Sequence, residues 1–225
     1  MTRIFLSLAV VATIALVANL LVGLLTGDYQ TVVKDQITAS QEYKRLLKDR
    51  GASAVDITTA KEKLYALQKS NQPSHDFIRV HVFLGCAAAL ATTLVNSIAI
   101  TYFVGTSRWI KEVVDAYHLN QKLVAHGHRI KRESFAWSVG GILAVVLLVG
   151  VGAAADPRGA NYTHSAAYVM PHYVLALAVI AFVLLAFWKQ WTKIAVNFRL
   201  IAEIMTEVQR VKQNRNTDAA AESPA

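Results

Sequence analysis

The sequence has few charged residues and only one cysteine. Asp, Glu, Lys and Arg make up 17% of its 225 residues, whereas soluble domains carry roughly 25%. Cys86 is the single cysteine, so the chain cannot form an internal disulfide. An apolar content of 54% excludes an intrinsically disordered chain. Long stretches of the chain contain almost no charged residues. The composition therefore excludes a water-soluble globule as well as a disulfide scaffold.

The chain also lacks the short motifs of common enzyme classes. It contains no phosphate-binding P-loop, no Gly-rich dinucleotide motif, no GxSxG nucleophile motif and no HExxH zinc motif. Its long apolar stretches hold no Asp or Glu, which disfavours a proton-coupled pump. Its Lys and Arg residues are dispersed and are not interleaved with aromatic residues, which disfavours nucleic-acid binding. The sequence therefore predicts no catalytic residue and no nucleic-acid partner.

What the sequence does contain is four long apolar stretches. They cover residues 4–25, 77–104, 135–155 and 171–188, and Arg79 is their only charged residue. A helix needs about 20 residues to cross the hydrocarbon of a bilayer, and backbone groups in lipid must be paired within the segment. We therefore predict an all-α integral membrane protein, built as a multi-pass bundle of four transmembrane helices.

The distribution of positive charge predicts the orientation of the four spans. If both termini lie on one side, that side holds thirteen Lys and Arg residues and the opposite side holds ten. Since positively charged segments tend to remain cytoplasmic, we expect both termini in the cytoplasm and the bacterial inner (plasma) membrane as the location. The expected partners are the lipid bilayer and other membrane subunits or a second copy of the chain.

Helical patterns continue outside the apolar stretches. On the outer side, two amphipathic segments within 28–72 predict a helical hairpin, with the first span continuing to about Arg50. On the inner side, helical extensions are expected over 105–120 and 189–212. The second extension carries a heptad-like apolar stripe typical of a coiled coil, formed by Ile194, Phe198, Ile201, Met205 and Val208. A single membrane domain would then cover 1–212.

The last residues have a different composition from the rest. Residues 213–225 are mostly small and polar and include Pro224. Such a segment cannot bury enough apolar surface to fold, so we expect a disordered tail. The stretch 125–129, which contains His126 and His128, is expected to be a solvated loop.

One face of the second stretch collects small and polar residues. Gly85, Thr92 and Asn96 follow His81 at helical spacing and therefore share its face. Polar groups are costly in lipid, so this face should point into the bundle. There it could pack against a neighbouring helix through hydrogen bonds, line a cofactor pocket, or line a small channel.

Two histidines lie at the outer ends of the second and fourth stretches. His81 lies about one turn inside its stretch, and His172 opens the other. Neutral imidazoles that face each other across a bundle can bind haem iron from both sides, and Gly85 would leave room for the porphyrin. The shallow position of His172 counts against haem. His75 and His164 lie nearby, but no short ligand spacing supports a metal centre.

The sequence leaves two hypotheses for function. The first is an accessory or scaffold subunit of a membrane complex, with no cofactor. The second is an electron-transfer subunit that binds haem b, or a quinone, through His81 and His172. The absorption spectrum of the purified protein separates them, because only bound haem gives a Soret band.

Overall fold

The structure, a computed structural model, describes residues 2–159 and 163–221, and the side chains of all of these except 218–221. The described part of the chain is 90% helical and contains no strand, which confirms the all-α prediction. The helices, in chain order, are α1 (Thr2–Leu25), α2 (Tyr29–Lys48), α3 (Ala54–Ser70), α4 (Gln72–Ala116), α5 (Lys122–Ala154) and α6 (Ala166–Ala221).

Four of these helices are long and apolar enough to cross a membrane. They are α1, α4, α5 and α6, and each contains one of the four predicted apolar stretches, except that α5 ends one residue before the predicted end of the third. With 45, 33 and 56 residues, α4, α5 and α6 are longer than the roughly 20 residues that a bilayer requires. Their length and composition indicate a membrane protein.

Two helices begin earlier than the apolar stretches suggest. The first turns of α5 include His126 and His128, so the expectation of a loop there is wrong. α6 begins at Ala166 and contains Pro171 in its second turn. Proline lacks an N–H and so removes only one hydrogen bond near the start of this long helix. His172 is therefore the seventh residue of α6 and not the second residue of a helix that begins at Pro171.

A break separates α1 from α2. Gly27 has a φ of +63°, a left-handed conformation that glycine adopts without a steric penalty. Asp28 then caps α2, because its side chain accepts a hydrogen bond from the backbone N–H of Thr31 at 3.2 Å. The expectation that the first span continues as one helix to Arg50 is therefore wrong.

α2 and α3 pack against each other as an antiparallel pair. Ser53 caps α3 by accepting a hydrogen bond from the backbone N–H of Asp56. Lys63 of α3 and Glu42 of α2 form an exposed ion pair at 3.2 Å. These two helices lie outside the apolar stretches and connect α1 to α4.

The chain divides into two compact units. The hairpin unit consists of Thr13–Leu90 and Val146–Ile180, and the termini unit consists of Met1–Ala12, Ala91–Val145 and Ala181–Ala225. The largest fully buried side chains of the described residues all belong to the termini unit, and the largest of them are Phe5, Phe103, Ile110, Leu200 and Ile204. The buried apolar side chains of the hairpin unit are mostly smaller: Leu16, Tyr29, Val33, Ala39, Ala60, Ala88, Ala176 and Val179.

The buried face of the α6 extension differs from the predicted stripe. The buried residues are Ile194, Asn197, Leu200, Ile204 and Val208, whereas Phe198 and Met205 are 66% and 43% exposed. The helix continues to Ala221, so the part of the predicted tail over 213–221 is helical. Residues 222–225 lie outside the described residues.

Candidate functional site

His81 of α4 and His172 of α6 lie side by side in the hairpin unit. Their ring centres are 6.2 Å apart, and their ring planes are nearly perpendicular, at 83°. Both side chains are half-buried. The structure thus brings together the two histidines that the sequence places at similar depth.

A backbone carbonyl orients the ring of His81. Its Nδ1 lies 3.1 Å from the carbonyl oxygen of Asn19 on α1. A carbonyl oxygen only accepts hydrogen bonds, so Nδ1 carries the proton and donates it. The neutral ring then has its free lone pair on Nε2, which makes this nitrogen available as a metal ligand.

The ring of His172 has a similar neighbour. The backbone carbonyl of Leu148 on α5 lies near this imidazole. Nδ1 of His172 is nevertheless buried without a well-formed hydrogen bond among the described residues. Each histidine of the pair is therefore approached by a backbone carbonyl from a different neighbouring helix.

Each histidine also packs against a glycine. A Cβ atom added to Gly23 of α1 would lie 2.9 Å from Cε1 of His81, and one added to Gly152 of α5 would lie 2.8 Å from Cε1 of His172. Both distances are shorter than a van der Waals contact, so any side chain would displace the ring. Gly23 and Gly152 lie four positions, about one helical turn, after Asn19 and Leu148, the residues whose backbone carbonyls lie near the two rings.

Gly85 has a different neighbour from the one predicted. A Cβ atom added there would lie 3.0 Å from Nδ2 of Asn19. Gly85 therefore makes room for the side chain of Asn19, whose Oδ1 is buried without a hydrogen-bond partner among the described residues. The expectation that Gly85 leaves space for a porphyrin finds no support in this contact.

A second cluster lies where α2 meets the start of α4. The hydroxyl of Tyr29 lies 3.1 Å from Nδ1 of His75, and Nε2 of His75 lies 3.0 Å from Oε1 of Gln36. The guanidinium of Arg158 lies 5.4 Å from the centre of the Tyr29 ring. Burial raises the pKa of Tyr29 above its usual value, so the phenol stays protonated and donates to His75.

His75 is one of the histidines that lie near the candidate site in the sequence, and it belongs to this second cluster. His75 pairs with Tyr29 and Gln36 and not with His81. Within residues 2–159 and 163–221, no group of three or more His, Cys, Asp or Glu side chains is placed to hold a metal ion.

The other predicted polar residues, Thr92 and Asn96, lie in the termini unit and are fully buried. Nε2 of Gln190 donates to Oδ1 of Asn96 at 2.7 Å, and Nδ2 of Asn96 donates to the carbonyl of Thr92 at 2.8 Å. Gly141 of α5 gives Asn96 its space, because a Cβ atom there would lie 3.0 Å from Nδ2. These contacts favour helix packing at this face over a water-lined channel.

Sequence reasoning missed two buried polar residues of α6. Gln190 and Asn197 lie beyond the predicted end of the fourth span, although both are buried. Nδ2 of Asn197 donates to the hydroxyls of Tyr102 and Thr106 at 3.1 and 3.0 Å. The spacing of Asn197 from Gln190, seven residues and so two turns of α6, was the available signal.

No protein-family model, no curated protein and no solved structure matches this chain. The contacts of its own residues are therefore the basis for inferring its function.

Proposed function

We propose that this chain is a membrane-embedded electron-transfer protein in which His81 and His172 bind the iron of haem b. The proposal includes a bundle of α1, α4, α5 and α6 across the bilayer. The observation that carries it is the distance of 6.2 Å between the two ring centres. A metal ion with one imidazole nitrogen about 2 Å away on each side holds the ring centres about 6 Å apart.

The same distance also occurs in ordinary edge-to-face ring pairs, so the surroundings of the rings matter. Histidines that bind metals nearly always donate the other ring N–H to a carbonyl, carboxylate or water. His81 has this arrangement, with Nδ1 on the Asn19 carbonyl and Nε2 left for the metal. The Leu148 carbonyl near His172 is the corresponding acceptor for the second ring, but Nδ1 of His172 forms no hydrogen bond within the described part of the chain.

The composition of the hairpin unit gives independent support. A haem is a large, flat and mostly apolar group, and it replaces core side chains where it is buried. The hairpin unit buries mainly Ala and Val, and the largest fully buried side chains belong to the termini unit. A bound haem would supply the apolar volume that these small side chains do not.

Haem b carries one electron at a time, and the protein sets its potential through the axial ligands and their hydrogen bonds. In this chain α4 and α6 carry the two imidazoles, α1 contacts His81 through Asn19 and Gly23, and α5 contacts His172 through Gly152. We infer that electrons enter or leave on the side of α2 and α3, because these helices and the two histidines belong to the same unit.

The test is the absorption spectrum of the protein purified in detergent after expression with added haem. We expect a Soret band in the wild type, and its loss in His81→Ala and in His172→Ala. His126→Ala is the matched control and should keep the band, because His126 is exposed and belongs to the other unit. A folded wild-type protein without a Soret band contradicts the proposal, and circular dichroism establishes whether each variant is folded.

A second candidate function, an accessory or scaffold subunit, is favoured by a different observation. Phe198 and Met205 are exposed on α6, beyond the apolar stretch and seven residues apart on one face. Exposed apolar residues outside lipid are typical of contacts with a partner subunit or a second copy. Light scattering on the detergent-solubilised chain should then show an oligomer that Phe198→Asp dissociates, whereas a monomer in both samples contradicts self-association.

A further inference from the structure

The termini unit contains an open groove with an apolar floor and a basic rim. The groove has a volume of about 570 Å³ and is lined by residues of α4 and of the first half of α5. Val104 and Phe135 form its floor and are 49% and 47% exposed. His128, Arg129, Lys131 and Arg132 form its rim. We call this feature the basic groove.

The basic groove lies where apolar sequence gives way to polar sequence on both helices. Val104 is the last residue of the second apolar stretch, and Phe135 is the first residue of the third. In a helix that spans a bilayer, such positions lie at the level of the lipid headgroups. An exposed aromatic side chain at this level borders the acyl chains, and the rim faces the polar side.

Two cations of the rim have no protein partner. Glu133 is the acidic residue beside the groove, and it pairs with Arg129 at 2.9 Å and with Lys193. Lys131 and Arg132 form no ion pair or hydrogen bond within the described part of the chain. Two unpaired positive charges above an apolar floor match a ligand with an anionic head and an apolar tail.

We propose that the basic groove binds an anionic phospholipid, with the phosphate between Lys131 and Arg132 and an acyl chain against Val104 and Phe135. Basic pockets between transmembrane helices are a known form of lipid-headgroup site, and charge-assisted hydrogen bonds to phosphate are strong. Free phosphate would satisfy the rim and leave the floor exposed. The proposal requires that the chain spans a membrane, and it does not depend on haem.

The test is native mass spectrometry of the protein, purified in detergent, with an equal mixture of phosphatidylglycerol and phosphatidylcholine. We expect the wild type to retain phosphatidylglycerol preferentially. The variant Lys131→Gln/Arg132→Gln should lose most of this preference, by about tenfold or more, since each charge near the surface contributes about 1 kcal/mol. The control variant Lys111→Gln/Arg199→Gln removes two exposed charges of the same unit and should keep the preference.

Two further measurements identify the ligand. Phe135→Ser removes the apolar floor and should weaken lipid retention, whereas millimolar inorganic phosphate should not displace the lipid. Displacement by phosphate, equal loss of preference in the control, or no change in Lys131→Gln/Arg132→Gln overturns the proposal. His81→Ala should retain lipid as the wild type does, so a failure of the haem proposal and a failure of this one give different results.

Discussion

Gly23 and His81 are in such close contact that a methyl group on the glycine would lie 2.9 Å from Cε1 of the ring. On the opposite side of the pair, Gly152 stands in the same relation to His172, at 2.8 Å. Both glycines are in helices, where glycine costs roughly 0.5–1 kcal/mol relative to alanine. At this cost to the helices, the two glycines give the imidazole rings space that a side chain would occupy.

Replacing Gly152 tests whether ring position controls the site. In Gly152→Ala the new methyl group pushes the His172 ring away from its present place. We expect haem affinity to fall about 10-fold to 100-fold, the range typical of residues that orient metal ligands, as measured by haem titration of the detergent-solubilised protein. Gly150→Ala on the same helix has nothing within 4 Å of the added atom and should bind haem normally. Equal affinity in the two variants contradicts the proposed role of Gly152.

The buried hydrogen bond between Gln190 and Asn96 should contribute to stability. Asn96→Leu leaves the amide of Gln190 buried without its 2.7 Å partner, and we expect a loss of about 0.6–2 kcal/mol in unfolding free energy. Gln190→Leu should cost a similar amount. The double variant should recover part of the loss, since neither amide of the pair then remains buried without the other. Equilibrium unfolding in mixed detergent measures all three, and strictly additive losses would show that the pair is not coupled.

Gly27 should be intolerant of substitution for a conformational reason alone. No atom lies within 4 Å of a Cβ placed there, but φ is +63°, and the left-handed region costs other residues about 1–2 kcal/mol. Gly27→Ala should therefore lower the melting temperature, and Gly27→Asn should lower it less. Gly105→Ala, in a helix and equally uncrowded, should be neutral or stabilising. A neutral Gly27→Ala would mean that the break between α1 and α2 can relax.

The hydroxyl of Tyr29 should stabilise the attachment of α2. Tyr29→Phe keeps the ring under Arg158 and removes the donor to His75, so we expect a loss of about 1 kcal/mol. Hydrogen exchange should be faster in α2 and at the start of α4. Tyr65→Phe is the control, because Tyr65 is 68% exposed. Equal exchange in Tyr29→Phe and the wild type would contradict the expected role of the hydroxyl.

Local sequence patterns were sufficient to locate the long apolar helices but not to identify the contacts between them. The lengths of the apolar runs located α1, α4, α5 and α6, because a helix that crosses lipid must be apolar over a fixed length. The starts of α5 and α6 were placed too late, since Arg132 ends an apolar run without ending α5, and Pro171 lies inside α6 and does not start it. The break between α1 and α2 was missed, although Thr-Gly-Asp at 26–28 is a sequence that the capping rules associate with a helix end and a new helix start.

The site itself was predictable only in part. His81 and His172 stand out because histidine is rare in apolar stretches, and their positions implied similar depth. Gly23 and Gly152 carry no such signal, because small residues are common in membrane helices. Their role appears only when two helices distant in sequence come together, as Gly152 and His172 do.

The carbonyl–glycine pairs on α1 and α5 have an evolutionary consequence. On α1 a backbone oxygen and a missing side chain hold the His81 ring, and on α5 the missing side chain of Gly152 gives the His172 ring its place, so these contacts do not use the side chains of Asn19 and Leu148. Relatives of this chain should accordingly vary freely at position 148, while positions 23 and 152 admit no replacement. The strongest conservation around the two imidazoles should therefore fall on glycines.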